Sequence, residues 1–261
     1  MKMNIKVLAA IAAFSAAAFA AHAQVATSFG DLVLGFKPAT GTTNVEIKLG
    51  SISTFQSATG TLDLGNFNSV LSAAYGADWA TNTTTGLAWG VVGSAGNTAV
   101  GDVAKTAWAT SAWNTANAAS LGAQNSTSFG SFSSSALGTT VTKVNSVYTS
   151  LTGATAGQTS GNAVTNTTGV WGTNAPFNLT GALFTNQVTS LALGQTYSAA
   201  DLYRLAINTV PAGIMGTFAL DQSGEVTFTV IPEPSTYAAI LGLATLGFVA
   251  IRRRNQFAAQ V

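Results

Sequence analysis

The side chains that most often carry out catalysis are almost absent from this chain of 261 residues. Cysteine does not occur, and the single histidine is His22, close to the N-terminus. Ser-His-Asp and Cys-His catalytic groups need a histidine or a thiol, and zinc sites mostly use the same two side chains. Without cysteine, disulfides cannot form either. The sequence therefore argues against nucleophilic hydrolases and ordinary zinc enzymes.

Acidic side chains are the remaining candidates for acid–base chemistry. The middle of the chain holds eight of them, spread singly: Asp31, Glu46, Asp63, Asp78, Asp102, Asp201, Asp221 and Glu225. Two carboxylates could hydrolyse a glycosidic bond, and the segment 221–225 could be compared with a calcium loop, but it lacks the repeated acids of such a loop. We favour solvated surface acids and a turn at 221–225. We expect no catalytic residue, no bound metal and no cofactor.

Tryptophan and threonine side chains could instead bind a sugar or an ice surface. The chain has five tryptophans: Trp79, Trp89, Trp108, Trp113 and Trp171. In a β protein such residues more often pack into the core. The threonines form irregular clusters, such as Thr83–Thr85, and no regular Thr-x-Thr ladder is visible. A glycan- or ice-binding module is therefore the alternative function, behind a non-enzymatic surface protein.

The N-terminal segment 1–23 has the three parts of a secretory signal peptide. Two lysines precede an almost wholly apolar stretch, Val7–Ala21. Ala21 and Ala23 then place small side chains at the two positions where signal peptidase admits nothing larger. We predict cleavage between Ala23 and Gln24, export of the chain, and removal of its only histidine with the signal peptide.

The C-terminal segment 232–261 combines a short motif, an apolar stretch and a basic cluster. Pro232-Glu233-Pro234 comes first, and residues 235–251 contain no charged side chain. As a helix, 235–251 would span roughly 25 Å, near the lower limit for crossing a bilayer. Arg252, Arg253 and Arg254 follow directly, and such a cluster stays on the cytoplasmic side. The pattern predicts a transmembrane helix that anchors the exported chain in the inner membrane.

This order of features resembles the PEP-CTERM sorting signal, a motif that is also named the ice-binding protein C-terminal domain. The resemblance rests on Pro232-Glu233-Pro234, the apolar stretch 235–251 and the three arginines, about 30 residues in all. It implies recognition by an exosortase, a membrane protease that cuts near the Pro-Glu-Pro, and delivery to the cell surface or beyond. It also implies a Gram-negative-type bacterium that makes exopolysaccharide or biofilm matrix. An ordinary C-terminal anchor, whose prolines only end the preceding strand, is the alternative.

The body between the two signals, residues 24–231, is weakly acidic. It keeps five basic and eight acidic residues, a net charge of −3, whereas the whole chain has a formal charge of +1. Without a basic patch, the body should not bind nucleic acid. Only 7% of all residues are charged and 47% are hydrophobic, a balance that favours a folded core over disorder.

Runs in which apolar and polar residues alternate, separated by turn residues, predict a mainly β body. We expect an antiparallel β-sandwich-like domain with a few short helices. Phe29–Phe36 and Val45–Leu49 should pair through a turn at Pro38–Gly41. Apolar residues at helical spacing predict a short helix over Phe67–Ala74, ended by Gly76. Further strands are expected at Leu87–Val92 and as a hairpin at Gly216–Leu220 and Glu225–Val230.

The middle of the body gives weaker signals. Gly/Ser/Thr-rich stretches at about 120–140 and 152–169 predict long loops or a soft boundary between two domains. A second short helix is expected in this central region. The sequence leaves open whether the body is one domain or two.

Overall fold

A computed structural model describes residues 25–38, 43–81, 87–112, 133–152, 157–160, 163–166, 197–207 and 213–231, together with 242, 245–248 and 252 of the C-terminal segment. In chain order the strands are Asp31–Lys37 (β1), Asn44–Ser51 (β2), Thr61–Asn66 (β3), Ala88–Ser94 (β4), Ala107–Ala112 (β5), Gly157–Ser160 (β6), Ala163–Asn166 (β7), Tyr197–Leu205 (β8), Gly213–Asp221 (β9) and Glu225–Val230 (β10). The helices of the body are Ile52–Ser57 (α1), Asn68–Tyr75 (α2) and Ser134–Thr152 (α3).

The described strands belong to one sheet, in the order β3-β10-β9-β8-β5-β4-β1-β2-β7-β6. Every neighbouring pair is antiparallel. Some neighbours are consecutive in the chain, but the pairs β1–β4, β5–β8 and β3–β10 join distant segments. The prediction of a mainly β, antiparallel fold with few helices is confirmed. The sandwich-like arrangement is wrong in one respect, because hydrogen bonds join these strands into a single continuous sheet.

Most strands and helices that the sequence predicts next to a turn or a helix-ending residue are present in the structure. Strands β1 and β2 pair as expected, and β9 and β10 form the C-terminal hairpin. Helix α2 ends at Tyr75, and the following Gly76 has a φ of 96°, a conformation that glycine adopts without strain. Strand β4 is buried at every position, which agrees with the fully apolar run from which it is predicted.

One face of the sheet packs into an inner cluster that contains residues from β1 and β2 as well as β9 and β10. Helices α1 and α2 contribute to the same cluster. Phe55 of α1 contacts Phe218 of β9 and Phe228 of β10, with ring centroids 5.8 Å and 5.2 Å apart. These aromatic contacts help to hold α1 against the last hairpin.

The opposite face of the central strands is covered by α3. Val33 and Val92 point to this side and join an outer cluster with Val144, Val147 and Leu151 of the helix. Neighbouring residues in β1 and β4 point to the inner cluster instead, because successive side chains of a strand alternate between faces. The central strands are therefore buried on both sides.

A helix is present in the central region, as expected, but α3 is much longer than the short helix predicted there. Residues 120–140 are predicted to be a loop, yet α3 begins at Ser134 and runs for 19 residues. Its buried side chains recur at helical spacing: Leu137, Thr140, Val141, Val144, Val147, Tyr148 and Leu151. Within the second predicted loop, 152–169, β6 and β7 form a hairpin at the edge of the sheet. Strand β7 pairs with β2, so this stretch joins the same sheet as the N-terminal strands.

Within the described part of the chain, no helix combines the length and the apolar character needed to cross a membrane. The predicted signal peptide, 1–23, lies outside the described residues. Most of the predicted span 235–251 lies outside them as well. Both segments stay predictions from the sequence.

Candidate functional site

The hairpin of β9 and β10 carries the chain to its C-terminal segment. The Asp221 carboxylate organises the turn, because it accepts hydrogen bonds from Ser223 Oγ at 2.7 Å and from the Glu225 amide at 2.8 Å. Gly224 has a φ of 85°, and a Cβ there would lie 2.5 Å from the backbone nitrogen of Asn68. Only glycine therefore fits this position without rearrangement. The turn predicted at 221–225 is confirmed.

The final backbone hydrogen bonds of the described body lie directly before the Pro-Glu-Pro motif. Val230 donates its amide hydrogen to Gly60 O at 3.0 Å, and Ile231 donates to Met215 O at 3.2 Å. Pro232-Glu233-Pro234 lies outside the described residues. In the sequence, Ile231 alone separates the last strand from Pro232.

An open cleft of about 740 Å³ lies at this end of the sheet. It is lined by the end of α1 with residues 58–60, by the start of β9, and by Val230 and Ile231. Among its described lining residues, Arg204 at the end of β8 is the one charged side chain. The described walls of the cleft are therefore mostly uncharged, with one guanidinium group, and the cleft lies where β10 ends.

Arg204 is held in place by Asp102, which lies in the loop between β4 and β5. Nε and Nη2 of Arg204 both donate to the Asp102 carboxylate, Nη2 over 2.6 Å. Burial opposes ionisation of Asp102, but hydrogen bonds from Arg204 and the Val103 amide, with the Arg204 charge, keep its pKa below the usual value. The hydrogen bond to Asp102 raises the pKa of Arg204. Sequence reasoning missed this pair, since its members are 102 residues apart.

The predicted signal peptidase site, Ala21, Ala23 and Gln24, lies outside the described residues. The next residue, Val25, is buried in the outer cluster beneath α3. Lys48 Nζ donates to Ala26 O at 2.7 Å and lies 2.9 Å from the Asp31 carboxylate. The chain is thus part of the folded body from Val25 onwards, within two residues of the predicted cut.

Three of the five tryptophans are packed inside the body. Trp79, Trp89 and Trp108 are each at most 3% exposed. Trp89 Nε1 donates to Ser198 Oγ at 2.9 Å, and Trp79 Nε1 donates to Asn68 Oδ1 at 2.9 Å. Trp113 and Trp171 lie outside the described residues. The core interpretation is confirmed for these three side chains, which offer no open ring face to a sugar.

The prediction of solvated surface acids is wrong for three residues. Asp31, Glu46 and Asp201 are buried, and Asp201 Oδ1 accepts a hydrogen bond from Thr217 Oγ1 at 2.8 Å. Asp63 and Asp78 are exposed, as expected. Within the described residues, no group of three or more histidine, aspartate and glutamate side chains is placed to hold a metal ion. The buried carboxylates are scattered through the fold and form no common site.

A family model for the PEP-CTERM protein-sorting motif matches residues 230–254. The chain carries a PEP-CTERM sorting motif. No curated protein and no solved structure matches the chain. The match begins at Val230, the last residue of β10, and ends at Arg254, the last of the three arginines. The motif resemblance predicted from Pro232-Glu233-Pro234 and the arginines is thereby confirmed.

The PEP-CTERM motif supports exosortase-dependent sorting of an exported protein. Of its C-terminal arginines, the structure describes Arg252, which is exposed. Leu246 and Phe248, within the apolar stretch, are 68% and 66% exposed. These side chains contact little of the folded body, so the described part of the apolar stretch is separate from the core. Sequence reasoning missed the pairing of Arg204 with Asp102 and the cleft that Arg204 lines.

Proposed function

We propose that this chain is an exported protein of the bacterial cell surface or extracellular matrix, sorted by an exosortase. The observation that carries the proposal is the PEP-CTERM match at residues 230–254. Signal peptidase removes residues 1–23, and helix 235–251 then holds the chain transiently in the inner membrane, with Arg252–Arg254 inside. The exosortase cuts near Pro232 and frees the body, which contributes to exopolysaccharide or biofilm outside the cell.

The arrangement of the motif suits this sequence of events. Proline fixes φ and disfavours helix at the residue before it, so Pro232 and Pro234 keep the junction extended. An extended segment is the form that fits a protease cleft. The apolar stretch is close to the minimum length for a bilayer, which suits an anchor that is needed only until the chain is cut.

The body acts without catalysis in this proposal. After removal of the signal peptide it contains no histidine and no cysteine. Asp102 and Asp201 use their carboxylates in contacts with Arg204 and Thr217. Purified body incubated with polysaccharides should release no products. Turnover that disappears in Asp63→Ala or Asp78→Ala, two exposed positions, would contradict this part of the proposal.

Replacing Pro232, Glu233 and Pro234 together by alanine tests the sorting function. This variant keeps the apolar stretch and the arginines, so insertion should persist while cutting fails, and full-length protein should accumulate in the inner membrane. Fractionation of the native host and C-terminal mass spectrometry measure both. A matched control replaces Ser223 in the turn of the last hairpin by alanine, outside the motif, and should be trimmed as wild type. A triple variant trimmed and delivered like wild type would leave the segment as an ordinary anchor.

A further inference from the structure

Arg204 is a cation that the fold holds in place beside the cleft. Its backbone lies in β8, paired with Trp108 of β5 on one side and with Gly213 of β9 on the other. Nε and Nη2 donate to the Asp102 carboxylate. A guanidinium group has five N–H donors, and the other three make no hydrogen bond to a described residue. The side chain is 37% exposed, so Nη1 and Nη2 can still donate two parallel hydrogen bonds to a ligand.

The residue opposite Arg204 leaves space in the cleft. Gly213 is its cross-strand partner on β9, and side chains directly opposite each other in an antiparallel pair lie on the same face of the sheet. A Cβ built on Gly213 meets nothing within 4 Å. The volume of the cleft is about 740 Å³, and small-molecule sites typically have roughly 300–1,000 Å³. A ligand of that size can therefore reach the guanidinium group.

The described walls of the cleft combine an apolar strip with polar side chains. Ile214 and Met215 are half-buried, whereas Gln56 and Thr59 are exposed. A pyranose ring carries C–H groups on its faces and hydroxyl groups at its edge, so it can contact both kinds of wall. A long alkyl chain in this open cleft would stay partly in contact with water, which removes most of its reason to bind. The walls therefore favour a sugar over a fatty acid.

The charge beside the cleft suits a single carboxylate. Arg204 is the one charged side chain among the described lining residues, and Asp102 already balances part of its charge. A planar guanidinium group matches a carboxylate, with two parallel N–H···O hydrogen bonds. A phosphate monoester carries close to two negative charges at neutral pH, more than this one shared cation can balance. A monoanionic carboxylate is therefore the better match.

We propose that the cleft binds a uronic acid unit of an acidic polysaccharide. Nη1 and Nη2 of Arg204 donate to the carboxylate of the sugar, and Asp102 positions the guanidinium group. The ring lies against Ile214 and Met215, and Gln56 is placed to bond its hydroxyl groups. This inference rests on the proposed function, in which the body contributes to exopolysaccharide, and it names the class of sugar that the body recognises.

An NMR titration of the purified full chain in detergent tests the ligand class. Methyl glucuronide should shift the amide signals of residue 204 and of residues 213–215. Methyl glucoside has the same ring without the carboxylate, so it should bind about tenfold more weakly, because the charge-assisted hydrogen bonds are lost. Equal affinities for the two sugars, or shifts confined to other residues, would overturn the proposal. Hexanoate that binds as tightly as the glucuronide would show a site for apolar acids and would overturn the sugar assignment.

Two glycine variants test the position of the site without breaking the contact between Arg204 and Asp102. Gly213→Leu fills the open space opposite Arg204 and should abolish the shifts that the glucuronide causes. Gly138→Leu makes the same change in α3, where a Cβ also meets nothing within 4 Å, and should bind as wild type. Circular dichroism checks that both variants fold. Unchanged binding by folded Gly213→Leu would overturn the site.

The titration is independent of sorting, because no exosortase is present. A chain that prefers the glucuronide but is not cut in the native host would contradict the sorting function and leave the cleft assignment in place. A chain that is cut and delivered but shows no preference for the glucuronide would overturn the cleft assignment alone.

Discussion

The hydroxyl of Ser150 donates a hydrogen bond of 2.5 Å to Oε2 of Glu46, and this contact joins α3 to β2. Glu46 is fully buried, and no described residue hydrogen-bonds its second oxygen, Oε1. Burial raises the pKa of Glu46 from 4.5 to about 7, although the hydrogen bond from Ser150 acts in the opposite direction. The folded chain therefore keeps a proton on Glu46 at pH values where the unfolded chain has released it.

Replacing Glu46 by glutamine should reduce the pH dependence of the free energy of unfolding. Because the folded pKa is raised, the stabilisation is complete below about pH 4.5 and is lost as the pH rises through about 7. A shift of this size corresponds to on the order of 3 kcal/mol. Urea unfolding of the purified body at about pH 5 and about pH 8 measures the difference. Glutamine is neutral at both values, so Glu46→Gln should lose less stability between them.

Asp63→Asn is the matched control for this experiment. Asp63 is an exposed acid on strand β3, so its replacement should leave the pH dependence of the wild type in place. If Glu46→Gln shows the same loss of stability with rising pH as wild type and Asp63→Asn, another group is responsible. The buried carboxyl would then have no part in the pH response.

Leu151→Ala should show how much α3 contributes to the stability of the body. Leu151 is 1% exposed and belongs to the outer cluster against the sheet. Truncating a buried leucine costs about 2–5 kcal/mol, because apolar contacts are lost and a cavity remains. Thr142→Ala is the control in the same helix, since Thr142 is exposed and its hydroxyl bonds only to Gly138 O at 3.0 Å. Alanine has the higher helix propensity, so this variant should be as stable as wild type.

Thermal unfolding followed by circular dichroism compares the two helix variants. A midpoint for Leu151→Ala equal to that of Thr142→Ala would mean that α3 is not packed on the sheet. The comparison also tests the outer cluster separately from the inner one, because Leu151 contacts only the former.

Local signals in the sequence were enough to predict several elements and a short helix in the central region, but not the start or the length of α3. The last hairpin depends on a turn that Asp221 and Gly224 determine locally, and α2 is marked by its apolar spacing and by Gly76. In α3 the same apolar spacing is present, at Leu137 and Val144 for example. Abundant serine, threonine and glycine concealed it, since these residues favour turns and caps. Their hydroxyls in α3 bond to carbonyls one turn earlier and so do not interrupt the helix.

Contacts between distant segments could not be predicted from one sequence. The pairing of β5 with β8, and of β3 with β10, depends on which strands the folded chain brings together. The same is true of Arg204 and Asp102 beside the cleft. Glu46 alternates with apolar residues along β2, a pattern that predicts a solvated side chain, but α3 covers that face. The sorting motif was predictable because its information lies in consecutive residues.

The mature protein should begin at Gln24. Cleavage after Ala23 leaves Val25 and Ala26 on the body, where Val25 is buried and Ala26 O accepts the hydrogen bond from Lys48. Ala23→Leu puts a large side chain where signal peptidase needs a small one, so the uncut precursor should accumulate. Ala18→Leu, within the apolar stretch, keeps the cleavage site and should be processed normally. N-terminal sequencing of surface material measures the cut, and a sequence starting at Met1 or Lys2 would refute it.

Removing the three positive charges after the apolar stretch should weaken membrane anchoring while leaving the predicted cleavage motif unchanged. In the proposed membrane anchor, Arg252, Arg253 and Arg254 would hold the apolar stretch in one orientation, because a basic cluster resists transfer across the membrane. Replacing all three by glutamine leaves Pro232-Glu233-Pro234 intact. Since the span 235–251 is already short, a fraction of the chain should then pass through the membrane uncut. Full-length protein in the periplasm, detected by fractionation and C-terminal mass spectrometry, is the expected result.

Deletion of residues 235–261 removes the apolar stretch together with the arginines, so it shows the result expected when no anchor is left. The chain then keeps Pro232-Glu233-Pro234 but has no apolar stretch, so it should be released to the periplasm at once and should not reach the cell surface. Arg204→Lys, which alters the cleft and preserves the anchor, should remain in the membrane fraction until it is cut. If the glutamine variant is anchored, cut and delivered at the wild-type rate, the arginines do not orient the span. If the deletion variant still reaches the surface, delivery does not depend on the membrane step at all.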